Sequence, residues 1–240
     1  MIEISAVTKT YNGKVKAVNQ LSLSIEDGKI VGFIGPNGAG KTTTLKMMTG
    51  ILDCDEGYIR LNGHDIGTNP LLAKKQFGFV PDNPDVFLRL KGIEYLNLMA
   101  DIYEVDSLER KSRITELAEA FSMTAALNDK ILSYSHGMRQ KIVVMGVLIH
   151  QPSIWILDEP LTGLDPQSSY VLKEMMRKHA QSGKTVFFST HVLEVAEKLC
   201  DQVAIINRGE ILYFGTLEEL KGRYNQMSLE EIFLEVTRHG

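Results

Sequence analysis

The stretch KIVGFIGPNGAGKTTTLKMMTG, residues 29–50, decides the fold of this 240-residue chain. It begins with a continuous apolar run, which predicts a β-strand buried on both faces. The next residues, GPNGAGKT at 35–42, fit the pattern G-x-x-x-x-G-K-[ST], and a helical pattern follows. Such glycines turn backbone N–H groups around phosphates, while the lysine reaches the terminal phosphates and the threonine hydroxyl ligates Mg²⁺. The sequence therefore predicts a nucleotide site built by Gly35, Pro36, Asn37, Gly38, Ala39, Gly40, Lys41, Thr42 and Thr43.

Three further apolar runs are of the same kind: SIWILDEP at 153–160, KTVFFSTH at 184–191 and DQVAIINRGE at 201–210. Helical patterns separate them, and buried strands that alternate with helices predict a parallel α/β sheet. The segments MIEISAV, AVNQLSLSI and YIRLNG alternate instead between apolar and polar residues, which predicts antiparallel strands. From about Pro84 to Gln151 the β pattern is absent and helical periodicity replaces it.

These patterns predict one domain of the α/β class, with a phosphate-loop core and a mostly parallel sheet. An antiparallel β part near the N-terminus and an inserted α-helical part complete the expected domain. Ser228 as N-cap and Glu231 at the third helical position predict the start of a tail helix. The expected segments are 1–83 and 152–225 for the core with its antiparallel strands, 84–151 for the helical insertion, and 226–240 for the tail.

The composition narrows the class of protein. A formal net charge of −4 leaves no overall basic footprint, so no nucleic-acid partner is expected. The two cysteines, Cys54 and Cys200, cannot form a multi-bridge framework and indicate a reducing compartment. No apolar run approaches the roughly 20 residues that cross a bilayer, and the first ten residues lack the pattern of a signal peptide. The sequence therefore predicts a cytoplasmic protein.

Two acidic residues and a histidine follow predicted buried strands. Asp158 and Glu159 end one strand, and His191 ends the next. The carboxyl ends of parallel strands share the sheet edge where ligands collect. An acidic residue beside a phosphate loop holds Mg²⁺, which is the role expected for Asp158. Glu159 is expected to orient or deprotonate the attacking water, and its alternative is a solvated acidic turn. Taken alone, His191 is more simply a packing residue, so its catalytic role depends on its neighbours.

The motifs occur in a specific order along the chain. The phosphate loop is followed by YSHGMRQK at 134–141, WILDEP at 155–160, LTGLDP at 161–166 and STH at 189–191. Over nearly the whole chain this order resembles the ATP-binding subunits of ABC transporters. The resemblance implies a Mg²⁺-dependent ATPase in which two subunits face each other head to tail. Each ATP would lie between the phosphate loop of one subunit and the signature helix, which begins after Tyr134, of the other.

The same resemblance implies roles for individual residues. Tyr11 would stack on adenine, and Glu159 would be the general base. His191 would contact the γ-phosphate, and Asp165 would belong to the nucleotide site and signal across the dimer. The γ-phosphate bound to the neighbouring subunit would meet the start of the signature helix, at Ser135, His136 and Gly137.

Two positions depart from the family pattern. Asp82 stands where the family has glutamine in the loop after the Val-Pro dipeptide. Because a carboxylate is a stronger oxygen ligand than an amide, we expect Asp82 to join the metal shell when Mg²⁺ is bound. His136 stands where the signature has glycine, and Tyr134 stands where it has leucine. We expect His136 to donate to the phosphate in the ATP-bound dimer; its alternative is a side chain turned to solvent.

The stretch FVPDNPDVFLRLKGIEYL at 79–96 and the tail resemble bacterial ABC-2-type export ATPases, whose membrane halves are separate chains. This likeness implies a second ATPase subunit, more simply an identical one than a different one. It also implies an integral membrane permease that docks between Pro84 and Tyr103 and holds the chain at the inner face of the cell membrane. The chief alternative is an ABC-type ATPase that drives assembly of a protein or cluster scaffold without transport.

Overall fold

The computed structural model describes residues 1–238, which form two β-sheets and the helices that cover them. The strands are β1 Ile2–Tyr11, β2 Val15–Ile25, β3 Ile30–Ile34, β4 Glu56–Leu61, β5 His64–Asp65, β6 Phe77–Val80, β7 Ile154–Asp158, β8 Thr185–Thr190, β9 Gln202–Asn207 and β10 Glu210–Thr216. The α-helices are α1 Lys41–Met48, α2 Pro70–Lys74, α3 Gly92–Ile102, α4 Ser107–Ala120, α5 His136–Leu148, α6 Pro166–Gln181, α7 Leu193–Leu199, α8 Leu217–Arg223 and α9 Leu229–Arg238.

The larger sheet has the strand order β10-β9-β3-β8-β7-β6. The strands from β9 to β6 run parallel, and β10 pairs antiparallel with β9 at one edge. Every residue of β3, β7 and β8 is buried, because apolar cores lie on both faces of the sheet. The predicted α/β fold with a mostly parallel sheet is confirmed.

The order of the central strands positions the candidate site. Since β3, β8 and β7 are parallel neighbours, their carboxyl ends lie side by side at one edge. The phosphate loop follows β3, Glu159 follows β7, and His191 follows β8. Three segments that are far apart in the sequence therefore meet at one edge of the sheet.

The smaller sheet is antiparallel, with the order β2-β1-β4-β5. Its buried side chains share a core with α1, the helix that begins at Lys41. The predicted N-terminal antiparallel sheet is confirmed. Its packing against α1 fixes the helix that carries the end of the phosphate loop. Representative members of this core are Ile4, Leu21, Ile59, Leu45 and Met47.

Helices α3, α4 and α5 lie in the chain between β6 and β7, and they share a core with one face of the larger sheet. Residues 142–149, which form the second half of α5 and its C-cap, are all buried, which explains the continuous apolar run in the sequence. Strand β6 is an addition to the predicted strands, because four residues are too short for a period of two to be recognised. Strand β10 is likewise an addition to the predicted set.

The tail forms α9, which packs on the core that contains α7 through Leu229 and Ile232. The predicted cap is present: the Glu231 N–H donates to Ser228 Oγ at 3.3 Å, and the Ser228 N–H donates to Glu231 Oε2 at 2.9 Å. Residues 239 and 240 of the predicted tail lie outside the described residues. Within residues 1–238, no helix is both long enough and apolar enough to cross a membrane.

Candidate active site

The phosphate loop leads from β3 into α1 with glycines in backbone conformations that side chains disfavour. Gly38 has φ +79° and Gly40 has φ +109°, and both angles lie in the region open to glycine. A Cβ on Gly40 would lie 2.4 Å from the carbonyl oxygen of Ala17, which excludes any larger residue there. The loop is therefore held closely against the start of β2, a contact between segments that no local sequence pattern relates.

Lys41 is the first residue of α1 and is buried. Its Nζ donates to the carbonyl oxygens of Gly35 at 2.7 Å and Pro36 at 3.2 Å, so the side chain folds back across the loop. Burial lowers the pKa of Lys41, while the charges of Glu159 and Asp158 raise it. The ammonium group is thus held inside the loop with two carboxylates nearby, where it can meet phosphate oxygens.

Asp158 ends β7 with only 1% of its surface exposed. The Ser189 hydroxyl donates to Asp158 Oδ1 at 2.5 Å, and the nearby Thr42 hydroxyl, like that of Ser189, acts to lower the pKa of this carboxyl group. Burial raises the pKa of Asp158, and the nearby charges of Asp82 and Glu159 act in the same direction. A buried carboxylate beside a threonine hydroxyl is an oxygen donor set that fits Mg²⁺, whose charge would favour the ionised carboxylate.

Glu159 follows Asp158 with φ +49°, a rare backbone conformation for a residue with a side chain. Its N–H donates to Ser189 Oγ at 3.0 Å, which links it to the same hydroxyl that binds Asp158. Its Oε1 lies 3.0 Å from His191 Nδ1. The imidazole therefore contacts the carboxylate of Glu159, while more than half of the histidine side chain stays exposed.

The structure brings most of the predicted nucleotide-site residues together. A cavity of about 220 Å³ is lined by residues 36–43 of the phosphate loop together with Asp82, Asp158 and Glu159. Tyr11 lies exposed at the end of β1 and does not line this cavity. Its proposed stacking on adenine stays a prediction.

The start of α5 lies outside the phosphate-loop cavity of its own subunit. Ser135 is the N-cap of α5, and its Oγ accepts a hydrogen bond from the Met138 N–H at 3.3 Å. A Cβ on Gly163 would lie 2.4 Å from Cδ2 of His136, so the imidazole packs directly on that turn. A Cβ on Gly137 would lie 2.5 Å from the Gly163 carbonyl oxygen. These three signature residues do not line the phosphate-loop cavity of their own subunit.

Asp165 is held within its own subunit. It is the N-cap of α6 and accepts from the Ser168 N–H at 2.9 Å and the Ser168 hydroxyl at 2.8 Å. Lys141 of α5 forms an ion pair with its carboxylate at 2.7 Å. The Lys141 hydrogen bond, followed by those from Ser168, holds the pKa of Asp165 well below its usual range. Lys141 and Ser189 were not predicted as site residues, because both act through partners distant in sequence.

Comparisons with known proteins agree with this architecture. Residues 18–162 match the family model described as ABC transporter. The chain is 36% identical to the ABC transporter ATP-binding protein NatA of Bacillus subtilis (strain 168), across 98% of this chain and 97% of NatA. It is 35% identical to the linearmycin resistance ATP-binding protein LnrL of the same organism, across 93% of this chain and 71% of LnrL.

Solved structures give the same result. A structure of the ATP-binding subunit of an ABC transporter superposes with a TM-score of 0.94 and 29% identity, across 98% of this chain and 99% of that one. A dimeric ATP-binding cassette in a post-hydrolysis state with ADP and Pi has a TM-score of 0.82 and 23% identity, across 90% of this chain and 99% of that one. The fold and site define an ATP-hydrolysing cassette. The chain belongs to the ABC transporter family, as one of its ATP-binding subunits.

Proposed function

We propose that two copies of this chain associate head to tail around two ATP molecules. The observation that carries the proposal is the separation of two anion-binding elements within one subunit. The phosphate loop lines one cavity, whereas the N-terminus of α5, with Ser135 as its cap, does not face that cavity. A helix N-terminus offers unpaired N–H groups and a partial positive charge, which suit a phosphate. A second copy would supply that phosphate, and the chain's similarity to a dimeric cassette supports this arrangement.

The geometry supports a separate role in hydrolysis for each residue of the site. The backbone of the phosphate loop and Lys41 would bind the β- and γ-phosphates, and Thr42 and Asp158 would hold Mg²⁺. The bound Mg²⁺ supplies positive charge that neutralises the phosphate oxygens. Glu159 would accept a proton from the water that attacks the γ-phosphorus, so that ADP leaves and inorganic phosphate forms. His191 would keep the Glu159 carboxylate oriented, as its 3.0 Å contact indicates.

Asp82 would add a carboxylate to the metal shell. We expect Asp82→Asn to raise the Mg²⁺ concentration for half-maximal hydrolysis about threefold or more, because an amide is a weaker ligand for Mg²⁺. Without Mg²⁺ the same variant should bind ATP more tightly, since it removes a negative charge beside the phosphates. Mg²⁺ titrations of ATPase rate and ATP binding in EDTA measure the two effects. Asp129→Asn, an exposed site that does not line the cavity, is the matched control; equal titrations for both variants would place Asp82 outside the shell.

We further propose that ATP hydrolysis drives export through a separate membrane permease. The resistance named for LnrL supports export, since resistance to a compound can be achieved by removing it. The segment between Pro84 and Tyr103 would receive the permease, and in the assembled transporter the subunit would lie at the inner face of the membrane. Phe87 supports this site because 51% of its surface is exposed, although its ring also contacts Tyr95 with centroids 5.5 Å apart. An ATPase for scaffold assembly is the alternative.

Phe87→Asp is a better test of docking than a charged substitution at Leu88 or Leu90. Leu88 and Leu90 pack against the helical core, so charges there would disturb folding. We expect Phe87→Asp to lose co-purification with the permease at least about tenfold while keeping the ATPase rate of the isolated subunit. The control is Leu108→Asp on α4, where 82% of the leucine is exposed. If Phe87→Asp co-purifies with the permease as well as the wild type does, the docking surface lies elsewhere. If the chain co-purifies with a scaffold protein instead of a permease, the alternative function is favoured.

A further inference from the structure

A second cavity lies between the helical insertion and the larger sheet. Its volume is about 330 Å³, within the roughly 300–1,000 Å³ range of small-molecule sites. Its walls come from α4, the end of α5, the start of β7 and the last turns of α6. Trp155 lies near the start of β7, whereas Asp158 ends the same strand. The cavity is therefore at the opposite edge of the sheet from the ATP site.

The charge of this cavity is opposite to that of the whole chain. Arg113, Lys178 and Lys184 line it with a single carboxylate, Glu116, in a chain whose formal net charge is −4. Arg113 is held in position by Glu109 at 2.5 Å and by a backbone carbonyl. Among residues 1–238, neither lysine forms an ion pair. Because Glu109 already pairs with Arg113, the two unpaired lysines supply the charge that favours an anionic occupant.

The remaining walls are apolar or aromatic. Leu117, Leu148 and Met175 contribute aliphatic surface. The indole of Trp155 stacks on the imidazole of His179, with ring centroids 4.2 Å apart. Burial, followed by the charge of Lys184, lowers the pKa of His179 to about 4, so the stack is neutral at physiological pH. The indole N–H itself is fully buried and has no acceptor among the described residues, so an occupant would meet the face of the ring.

We propose that this cavity binds a small organic anion with an apolar body. The anionic group lies among Lys178, Lys184 and Arg113, and the apolar body lies against Met175 and the Trp155 ring. Because α4 and α6 both contribute walls, the bound anion joins the helical insertion to the sheet core. The inference is independent of the catalytic roles proposed above, since no residue of this cavity lines the phosphate-loop cavity.

The test uses the fact that Trp155 is the only tryptophan of the chain, so its fluorescence reports on this cavity alone. The probe is octanoate. Octanamide, which lacks the charge, and inorganic phosphate, which lacks the apolar body, are the two controls. We expect octanoate to change the emission saturably, with half-saturation at about 1 mM or below. Each control should bind at least about tenfold more weakly. Octanoate should also raise the thermal unfolding midpoint, because it binds only the folded chain.

The variant Lys178→Gln/Lys184→Gln should weaken octanoate binding at least about tenfold. Its matched control is Lys75→Gln/Lys111→Gln, which removes two charges outside the cavity. Retained ATP binding in both variants shows that they are folded. Equal octanoate binding in the two variants, or no effect of octanoate on emission and unfolding, overturns the proposal. Binding of inorganic phosphate as strong as that of octanoate, or lysine-dependent binding to phosphatidylglycerol vesicles without octanoate binding, also overturns it.

Discussion

Glu159→Gln is expected to slow ATP turnover at least about 100-fold while ATP still binds. A glutamine side chain keeps the shape of the carboxylate but cannot accept the proton of the attacking water, and general base catalysis contributes about 10²–10⁴ in rate. ATP would therefore persist between two subunits, and the variant should elute as a dimer in size exclusion when Mg²⁺-ATP is present. Single-turnover hydrolysis measures the rate of turnover, and binding of a fluorescent nucleotide measures the affinity for ATP.

The chain offers a closely matched control for this substitution. Glu104 is an exposed glutamate outside the cavity whose φ is +56°, close to the +49° of Glu159. Glu104→Gln makes the same chemical change in the same backbone conformation, so it should leave turnover unchanged. A wild-type rate for Glu159→Gln would remove the proposed base. A similar loss of turnover in both variants would mean that replacing a glutamate in this backbone conformation disturbs the fold, and the loss could not be attributed to a missing proton acceptor.

Lys41→Ala is expected to weaken ATP binding about 10- to 150-fold. The substitution removes a hydrogen-bonding cation from the phosphates, and a hydrogen bond to a charged group contributes about 1.5–3 kcal/mol. Equilibrium binding of a fluorescent ATP analogue measures the change.

Lys46→Ala is the control for Lys41→Ala, because Lys46 is an exposed lysine of the same helix outside the cavity. It should bind ATP like the wild type. Since Lys41 also binds the carbonyls of Gly35 and Pro36, thermal unfolding of both variants separates lost stability from lost affinity. Wild-type affinity in a folded Lys41→Ala variant would contradict the proposed phosphate contact.

The phosphate loop could be predicted residue by residue because its information is local. The glycines and Lys41 follow one another in the chain, and their spacing alone defines the turn. The central strands of the larger sheet could be predicted for the same reason, since long apolar runs identify β3, β7 and β8. Strand β6 has four residues and pairs with β7, so its identity depends on a partner that lies far along the chain.

The contacts around the signature could not be predicted, because they join segments that no local pattern relates. The ion pair of Lys141 with Asp165 and the packing of His136 on Gly163 both depend on how α5 lies beside the turn that leads into α6. Ser189 is a similar case: its pairing opposite Asp158 follows from the register of β8 against β7. Strand register depends on tertiary packing, which a single sequence does not display.

The left-handed backbone of Glu159 has an evolutionary consequence. A non-glycine residue in this conformation lowers the free energy of unfolding by about 1–2 kcal/mol, a sizeable share of the roughly 5–15 kcal/mol that keeps a typical domain folded. Glycine or asparagine would relieve that cost, so selection for thermostability alone would favour losing the carboxylate. In this chain the cost falls on the residue proposed to accept the proton, so thermal stability and the proposed turnover make opposite demands on position 159.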